Sequence, residues 1–243
     1  MESQSLKALF ISDTHFAPHS AARLSLLHKC VMQEKPDQLF LLGDIFDSWV
    51  GWDIYPDFTK LVERQFSEIA SVCTIYYMNG NHDRLIKPHD MPRISAKWLN
   101  DPSIIQLGSN NIYLTHGDKL CTQDRLLNWF TPFHDAQIAN FLFLKLPLKW
   151  RQAVATSSKS ISKKNRSTFK LDNIELNLDL VASELQNNQA DYMIHGHTHR
   201  PMFHKDQNRF TLGAWDHSPI AYLKFDNGFT YAHIDASKKS SLT

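Results

Sequence analysis

Residues 6–12 read as one strand, apolar without a break from Ala8 to Ile11, that stops at Asp13-Thr14-His15. Runs of this length without polar alternation predict strands buried on both faces, the kind that parallel sheets contain. The figure returns four times: residues 38–42 run into Gly43-Asp44-Ile45-Phe46-Asp47, residues 72–78 into Asn79-Gly80-Asn81-His82-Asp83, residues 112–115 into His116-Gly117-Asp118, and residues 191–194 into His195-Gly196-His197-Thr198-His199. Between them the apolar positions shift to helical spacing. Leu24, Leu27 and Val31 predict a helix capped by Ser20 and ending before Pro36. Phe58, Leu61, Val62, Phe66 and Ile69 predict a second, with Asp57 as its cap, and Ile174, Leu178 and Val181 a third over residues 172–186. Residues 210–215 and 220–225 read as further strands, and Asp226-Asn227-Gly228 predicts a type I′ turn into residues 229–234. Residues 236–243 read as a frayed tail. Alternating strands and helices define an α/β chain.

The rhythm fails between residues 120 and 170. Leu126, Trp129, Phe130, Phe133, Phe141, Phe143 and Trp150 crowd its first part, and from Lys145 to Lys170 there are eight lysines and arginines and no acid. By itself such a run reads as a solvated face; after an aromatic cluster it also describes a lid that holds an acyl chain and faces phosphates. The expected organisation is a core of residues 1–119 and 171–243 with an inserted helical cap over residues 120–170.

Composition narrows the class. The chain has 243 residues, 42% hydrophobic and 21% charged, enough for one large core. Its formal net charge of +1 gives no whole-protein attraction to nucleic acid. Cys30, Cys73 and Cys121 are odd in number and far apart, which argues against a disulfide framework or a zinc ribbon. No stretch approaches the ~20 apolar residues of a membrane span.

Polar groups at five successive strand ends need a common purpose. In an extended strand end Asp13 and His15 point the same way, and glycine at position 196 lets two imidazoles converge. The set offers oxygen and nitrogen and no thiolate, which favours ions such as Mn²⁺ or Fe²⁺ over structural zinc. The ligand-type side chains exceed what one ion takes, and two ions about 3.5–4 Å apart, bridged by a carboxylate, use them naturally. His19, His28, His89, His134, His204, His217 and His233 fall outside the pattern; Cys121 reads as buried, and Trp49 and Trp52 as packing or cleft lining.

These motifs in this order resemble the calcineurin-like metallophosphoesterase family, over nearly the whole chain. The resemblance implies a four-layer α/β/β/α sandwich and two ions. Asp13, His15, Asp44 and His199 would surround one ion and Asp44, Asn81, His116 and His197 the other, with Asp44 bridging. Asn81, His82 and Asp44 would be catalytic, His82 standing beside the phosphate. His116-Gly117-Asp118-Lys119-Leu120-Cys121-Thr122-Gln123-Asp124, Leu146-Pro147-Leu148, His195 to Pro201 and Leu212-Gly213-Ala214-Trp215 are similar to the branch of that family that cleaves the pyrophosphate of UDP-2,3-diacylglucosamine. That branch implies an acylated UDP-sugar lipid as substrate, UMP and the acylated sugar 1-phosphate as products, an activated hydroxide as nucleophile, and two Mn²⁺ per chain. It implies substrate contacts from Asn81, His82, Asp124, Ser162, Arg166, Lys170 and His197, acyl chains held by the insertion, and a place in lipid A biosynthesis on the cytoplasmic face of the inner membrane. A monomer is expected, without a nucleic-acid partner. The chain departs from the branch at His82, where arginine is usual, at Lys159 for arginine, and at Phe169 near an expected lysine. Action on another nucleotide diphosphate or phosphodiester is the second reading. A binding protein that kept the fold without the chemistry is a third, against which the complete ligand set argues.

Overall fold

Alternate side chains of β1 (Lys7–Ile11) enter different cores: Leu9 and Ile11 pack into one cluster, Ala8 and Phe10 into another. The computed structural model describes residues 6–121, 143–151, 153, 176–216 and 219–234. The same partition holds in β2 (Gln38–Leu42), where Leu39 and Leu41 oppose Phe40 and Leu42, and in β3 (Thr74–Met78), where Ile75 and Tyr77 oppose Met78. Two-sided burial is why these strands read as continuous apolar runs.

The first cluster lies under α1 (Ala21–Glu34) and α2 (Pro56–Ala70), through Leu24, Leu27 and Val31 of one and Phe58, Val62, Phe66 and Ile69 of the other. Beyond β3 come three short strands, β4 (Ala96–Trp98), β5 (Ser103–Leu107) and β6 (Asn110–Thr115). From residue 176 on come α3 (Leu178–Asn187), β7 (Tyr192–His195), β8 (Met202–His204), β9 (Arg209–Thr211), β10 (Ile220–Asp226) and β11 (Phe229–Ile234). One six-stranded sheet has the order β11-β10-β1-β2-β3-β4, and a five-stranded sheet the order β5-β6-β7-β9-β8. The second cluster fills the space between them, with Phe10, Phe40 and Met78 from one sheet and Ile112, Leu114, Ile194 and Phe210 from the other. Val181 of α3 meets Tyr113 and Met193 on the outer face of the second sheet. Helices, sheet, sheet, helix is the expected four-layer sandwich.

Several local expectations change. Ser20 precedes α1, but its hydroxyl donates to the carbonyls of His15 and Ala17 instead of capping the helix. Tyr55, not Asp57, is the N-cap of α2, because Pro56 occupies the first helical position and leaves Asp57 inside the first turn. The third strand starts at Thr74, with Val72 exposed before it. Residues 212–215 leave the ladder: the Leu212 N–H bonds the His195 carbonyl at 2.7 Å and the Trp215 N–H bonds the Asp13 carbonyl at 3.0 Å. In the last hairpin Asn227 takes a φ of 59° while Gly228 stays out of the positive-φ region, so the turn is not type I′. Strands β4, β5 and β8 were not expected. The predicted helix start at residues 172–175, and the expected cap over residues 120–170 apart from residues 120, 121, 143–151 and 153, lie outside the described residues.

Candidate metal centre

Strands β1, β2 and β3 run parallel, as do β6 and β7, so five carboxyl ends gather at one edge of the sandwich. Ligand sites lie at such ends in open α/β sheets. The first sheet brings Asp13, His15, Asp44, Asn81 and His82, and the second brings His116, His197 and His199. Asp13, His15, Asp44, His197 and His199 all hold positive φ, at 52°, 48°, 53°, 66° and 59°. Non-glycine residues avoid this region at a cost of order 1 kcal/mol each, and their concentration where the chain turns is a mark of function. The turns need close approach as well. A Cβ on Gly196 would collide with Ser12 Oγ and Asp13 Oδ2.

Three groups of side chains converge so that their ligand atoms lie within 4.8 Å of one another: Asp13, His15 and His199; His15, Asp44 and His82; Asp44, His116 and His197. Asp44 belongs to two of them, as a bridging carboxylate would. His199 Nε2 is 3.1 Å from Asp13 Oδ1, and His116 Nε2 lies 3.6 Å from Asp44 Oδ2 and 3.1 Å from Asn81 Oδ1, which brings Asn81 into the third group. The rings of His15 and His82 stand 4.8 Å apart, and those of His116 and His197 5.2 Å.

Support comes from residues around the ligands. Ser12 Oγ and the His197 N–H both donate to Asp13 Oδ2, at 2.5 and 3.0 Å. The His82 N–H donates to Asp44 Oδ1 at 2.7 Å. His116 Nδ1 meets the Leu42 carbonyl at 3.0 Å, which makes it the protonated nitrogen and leaves Nε2 to face the centre. Asp83, fully buried, accepts from the N–H groups of Ile45, Phe46 and Gly80 and from the Tyr77 hydroxyl, tying the turns after β2 and β3 together. Asp101 accepts from Thr115 Oγ1 and the His116 N–H. His195 is buried between the Gly196 carbonyl, 2.8 Å from Nδ1, and the Arg209 guanidinium, 2.8 Å from Nε2. Asp83, Asp101, Ser12 and Arg209 had no assigned role in the sequence. Asp83 stands within a motif, but its partners Ile45 and Phe46 lie far away in the chain and offer only backbone.

The electrostatics are those of a cation site. Burial would raise the Asp13 carboxyl, yet His199 and the imidazoles of His116 and His15 hold it well below the ordinary range. Burial pushes His15 down to about 4. Burial opposes charging His116, but Asp44 and Asp13 outweigh it and raise the group. Burial and the neighbouring Asp44 raise Asp83. His15 is 8% exposed and, among the described residues, neither ring nitrogen has a hydrogen-bond partner. A buried polar group is seldom left without one, so two orphaned nitrogens in the middle of a carboxylate and imidazole set fit a divalent ion.

Of the remaining expectations, Asp124, Ser162, Arg166 and Lys170 lie outside the described residues. Trp49 and Trp52 both pack with Phe46 in the first cluster, and Trp49 also lines a cavity with Asp47 and Ser48. Cys121 is buried, its sulfur directed at the Gly117 carbonyl.

Two packed mixed sheets with aspartates, histidines and an asparagine at their shared edge define a dinuclear-type phosphoesterase scaffold, and residues 6–201 match the family described as calcineurin-like phosphoesterase. The chain belongs to that family. Within it, the chain is similar to the UDP-2,3-diacylglucosamine hydrolase of Neisseria meningitidis serogroup B, at 31% identity over 90% of this chain and 94% of the relative. It is also similar to the proteins of the same name from Coxiella burnetii, at 30% identity over 86% of this chain and 89% of the relative, and Histophilus somni, at 28% over 93% and 99%. Among solved structures, a dimetal phosphatase from Danio rerio shares the fold with a TM-score of 0.51 at 15% identity, covering 96% of this chain and 97% of that one.

Proposed function

We propose that the protein is a metal-dependent hydrolase that cleaves the pyrophosphate of UDP-2,3-diacylglucosamine, releasing UMP and 2,3-diacylglucosamine 1-phosphate. The observation that carries this reading is the converged set at the strand ends, inside which both ring nitrogens of His15 lack a partner among the described residues. The relatives supply the substrate class. Asp13, His15, Asp44 and His199 would hold one ion, and Asp44, Asn81, His116 and His197 the other. Divalent ions there, Mn²⁺ by family resemblance, supply Lewis acidity and a water acidified toward neutral pH.

The chain's own groups do the rest. Asp44 holds the turn after β3 through the His82 N–H, so the carboxylate that two ions would share also sets where His82 stands. The His82 ring, 21% exposed and 3.6 Å from Asp47 Oδ1, is directed by that carboxylate while keeping a solvent-facing edge for a phosphoryl oxygen. An imidazole in this place can stabilise charge or donate a proton, where arginine would only stabilise charge. Asp124, Ser162, Arg166 and Lys170 are proposed as contacts to the lipid sugar phosphate, and the insertion as the holder of its acyl chains. No helix among the described residues is long and apolar enough to cross a membrane. A lipid substrate then calls for peripheral contact with the cytoplasmic face of the membrane, to which basic residues of the insertion contribute ~1 kcal/mol each where they meet anionic lipid.

UMP release from UDP-2,3-diacylglucosamine with Mn²⁺, with and without chelator and beside an unacylated UDP-sugar, tests the proposal. Chelator-sensitive release from the acylated substrate alone is expected. Release from neither, with turnover of an aryl phosphodiester, would discard the substrate and keep the class.

A further inference from the structure

Arg151 belongs to the run of lysines and arginines that composition reads as a solvated face, and its neighbours Lys145 and Lys149 are exposed. Arg151 is not: its side chain is 6% exposed, and its three guanidinium nitrogens all find partners, in its own segment and in the loop 49–54. Nε donates to the Leu146 carbonyl at 3.0 Å, within its own segment. One terminal nitrogen donates to the Val50 carbonyl at 2.9 Å and to Asp53 Oδ1 at 2.7 Å, and the other to Asp53 Oδ2. That is a bidentate fork with a third anchor on backbone, the geometry for which arginine is suited and lysine is not. The receiving loop is shaped for it. Gly51 has a φ of 129° and a Cβ there would strike the guanidinium.

The loop reaches the metal centre by two routes. The Trp49 N–H bonds the His82 carbonyl at 3.0 Å, so the residue before Val50 is tied to the turn that carries His82. Val50, Ile54 and Trp49 also line a cavity of about 160 Å³ whose wall continues through Ser48 to Asp47, the carboxylate beside His82. The loop is held from behind by Trp52, whose Nε1 donates to Asp90 Oδ1 at 2.7 Å, and by Arg93 over the Trp52 ring. On the other side of the contact, the segment 143–151 leaves Trp150 68% exposed and Leu146 39% exposed.

We infer that Arg151 and Asp53 are positioning residues: their ion pair fixes the inserted segment 143–151 against the loop 49–54 at the rim of the metal centre, and so sets where the acylated part of the substrate is held. The inference rests on the proposed substrate. The pair touches none of the reacting atoms, so its loss separates binding from chemistry.

The test compares Asp53→Ala, Arg151→Lys and Arg151→Ala with wild type on UDP-2,3-diacylglucosamine and on bis(p-nitrophenyl) phosphate. Loss of the fork is expected to raise KM for the acylated substrate about tenfold, the size of one charge-assisted hydrogen-bond pair. Turnover of the aryl diester should stay at the wild-type value. The double variant Asp53→Ala with Arg151→Ala should be no worse than Arg151→Ala alone, since both remove one interaction. A parallel loss on both substrates, or no change on either, overturns the inference. If wild type cleaves only the aryl diester, the proposed substrate falls, and the clasp is judged by hydrogen exchange at the amides of residues 143–151. Faster exchange in Asp53→Ala upholds the anchor, and unchanged exchange overturns it.

Discussion

At the scale of the residue, each side chain at the centre is held by something that the motif does not show. Asp44 faces two ligand groups and also fixes the His82 backbone, so Asp44→Ala should lower kcat by at least ~10³-fold and reduce bound metal, read by elemental analysis of the same sample. His82→Ala should lower kcat by ~10²-fold with metal content retained, as for a lost proton donor or charge stabiliser. Equal metal loss in both variants would make His82 a ligand, since it shares a group with His15 and Asp44. His195 gives a pH prediction. Burial and then Arg209 push it from an ordinary 6.5 down to about 3. The unfolded chain takes up this proton first, so the group leaves stability unchanged above about pH 6.5 and lowers it as pH falls toward 3. Its imidazole NMR shifts should stay those of the neutral ring at pH 5. The ligand-type residues were legible because aspartate and histidine directly after a buried apolar run are costly to fold there unless they meet a cation or a polar partner. Asp83 and Asp101 were not, because the donors they gather, backbone N–H groups of the strand-end turns together with the Tyr77 and Thr115 hydroxyls, are assembled only by folding.

At the scale of the element, the strands that carry chemistry were legible and those that close the sheets were not. β1, β2, β3, β6 and β7 are buried on two faces and announce themselves as apolar runs. β4, β5 and β8 are edge strands of three to five residues, half solvated, and their composition hardly differs from that of a loop. β11 is also an edge, but the Asn-Gly turn before it marked its start, though with the wrong turn type. The turn after β7 carries a prediction of its own. Gly196→Ala should fold yet bind metal at least about tenfold more weakly, because the new Cβ must displace Ser12 Oγ and Asp13 Oδ2. Metal titration followed by calorimetry, beside a far-ultraviolet circular dichroism spectrum, separates the two effects.

At the scale of the whole molecule, the centre draws three motifs from one sheet and two from the other, so bound ions would join the sheets as well as serve chemistry. Ions that bind only the folded state raise its stability by mass action, and chelation should lower Tm by roughly 5–10 °C in a scan with and without EDTA. An unchanged Tm would mean that the sheets hold together without them. The topology has one further consequence, which concerns synthesis. β1 is made well before β10, which is one of its two neighbours and pairs with it from Lys7 with Asp226 to Phe10 with Leu223. From the synthesis of β1 until that of β10, the nascent chain therefore carries an open backbone edge in the centre of its main sheet, and only the later strand closes it.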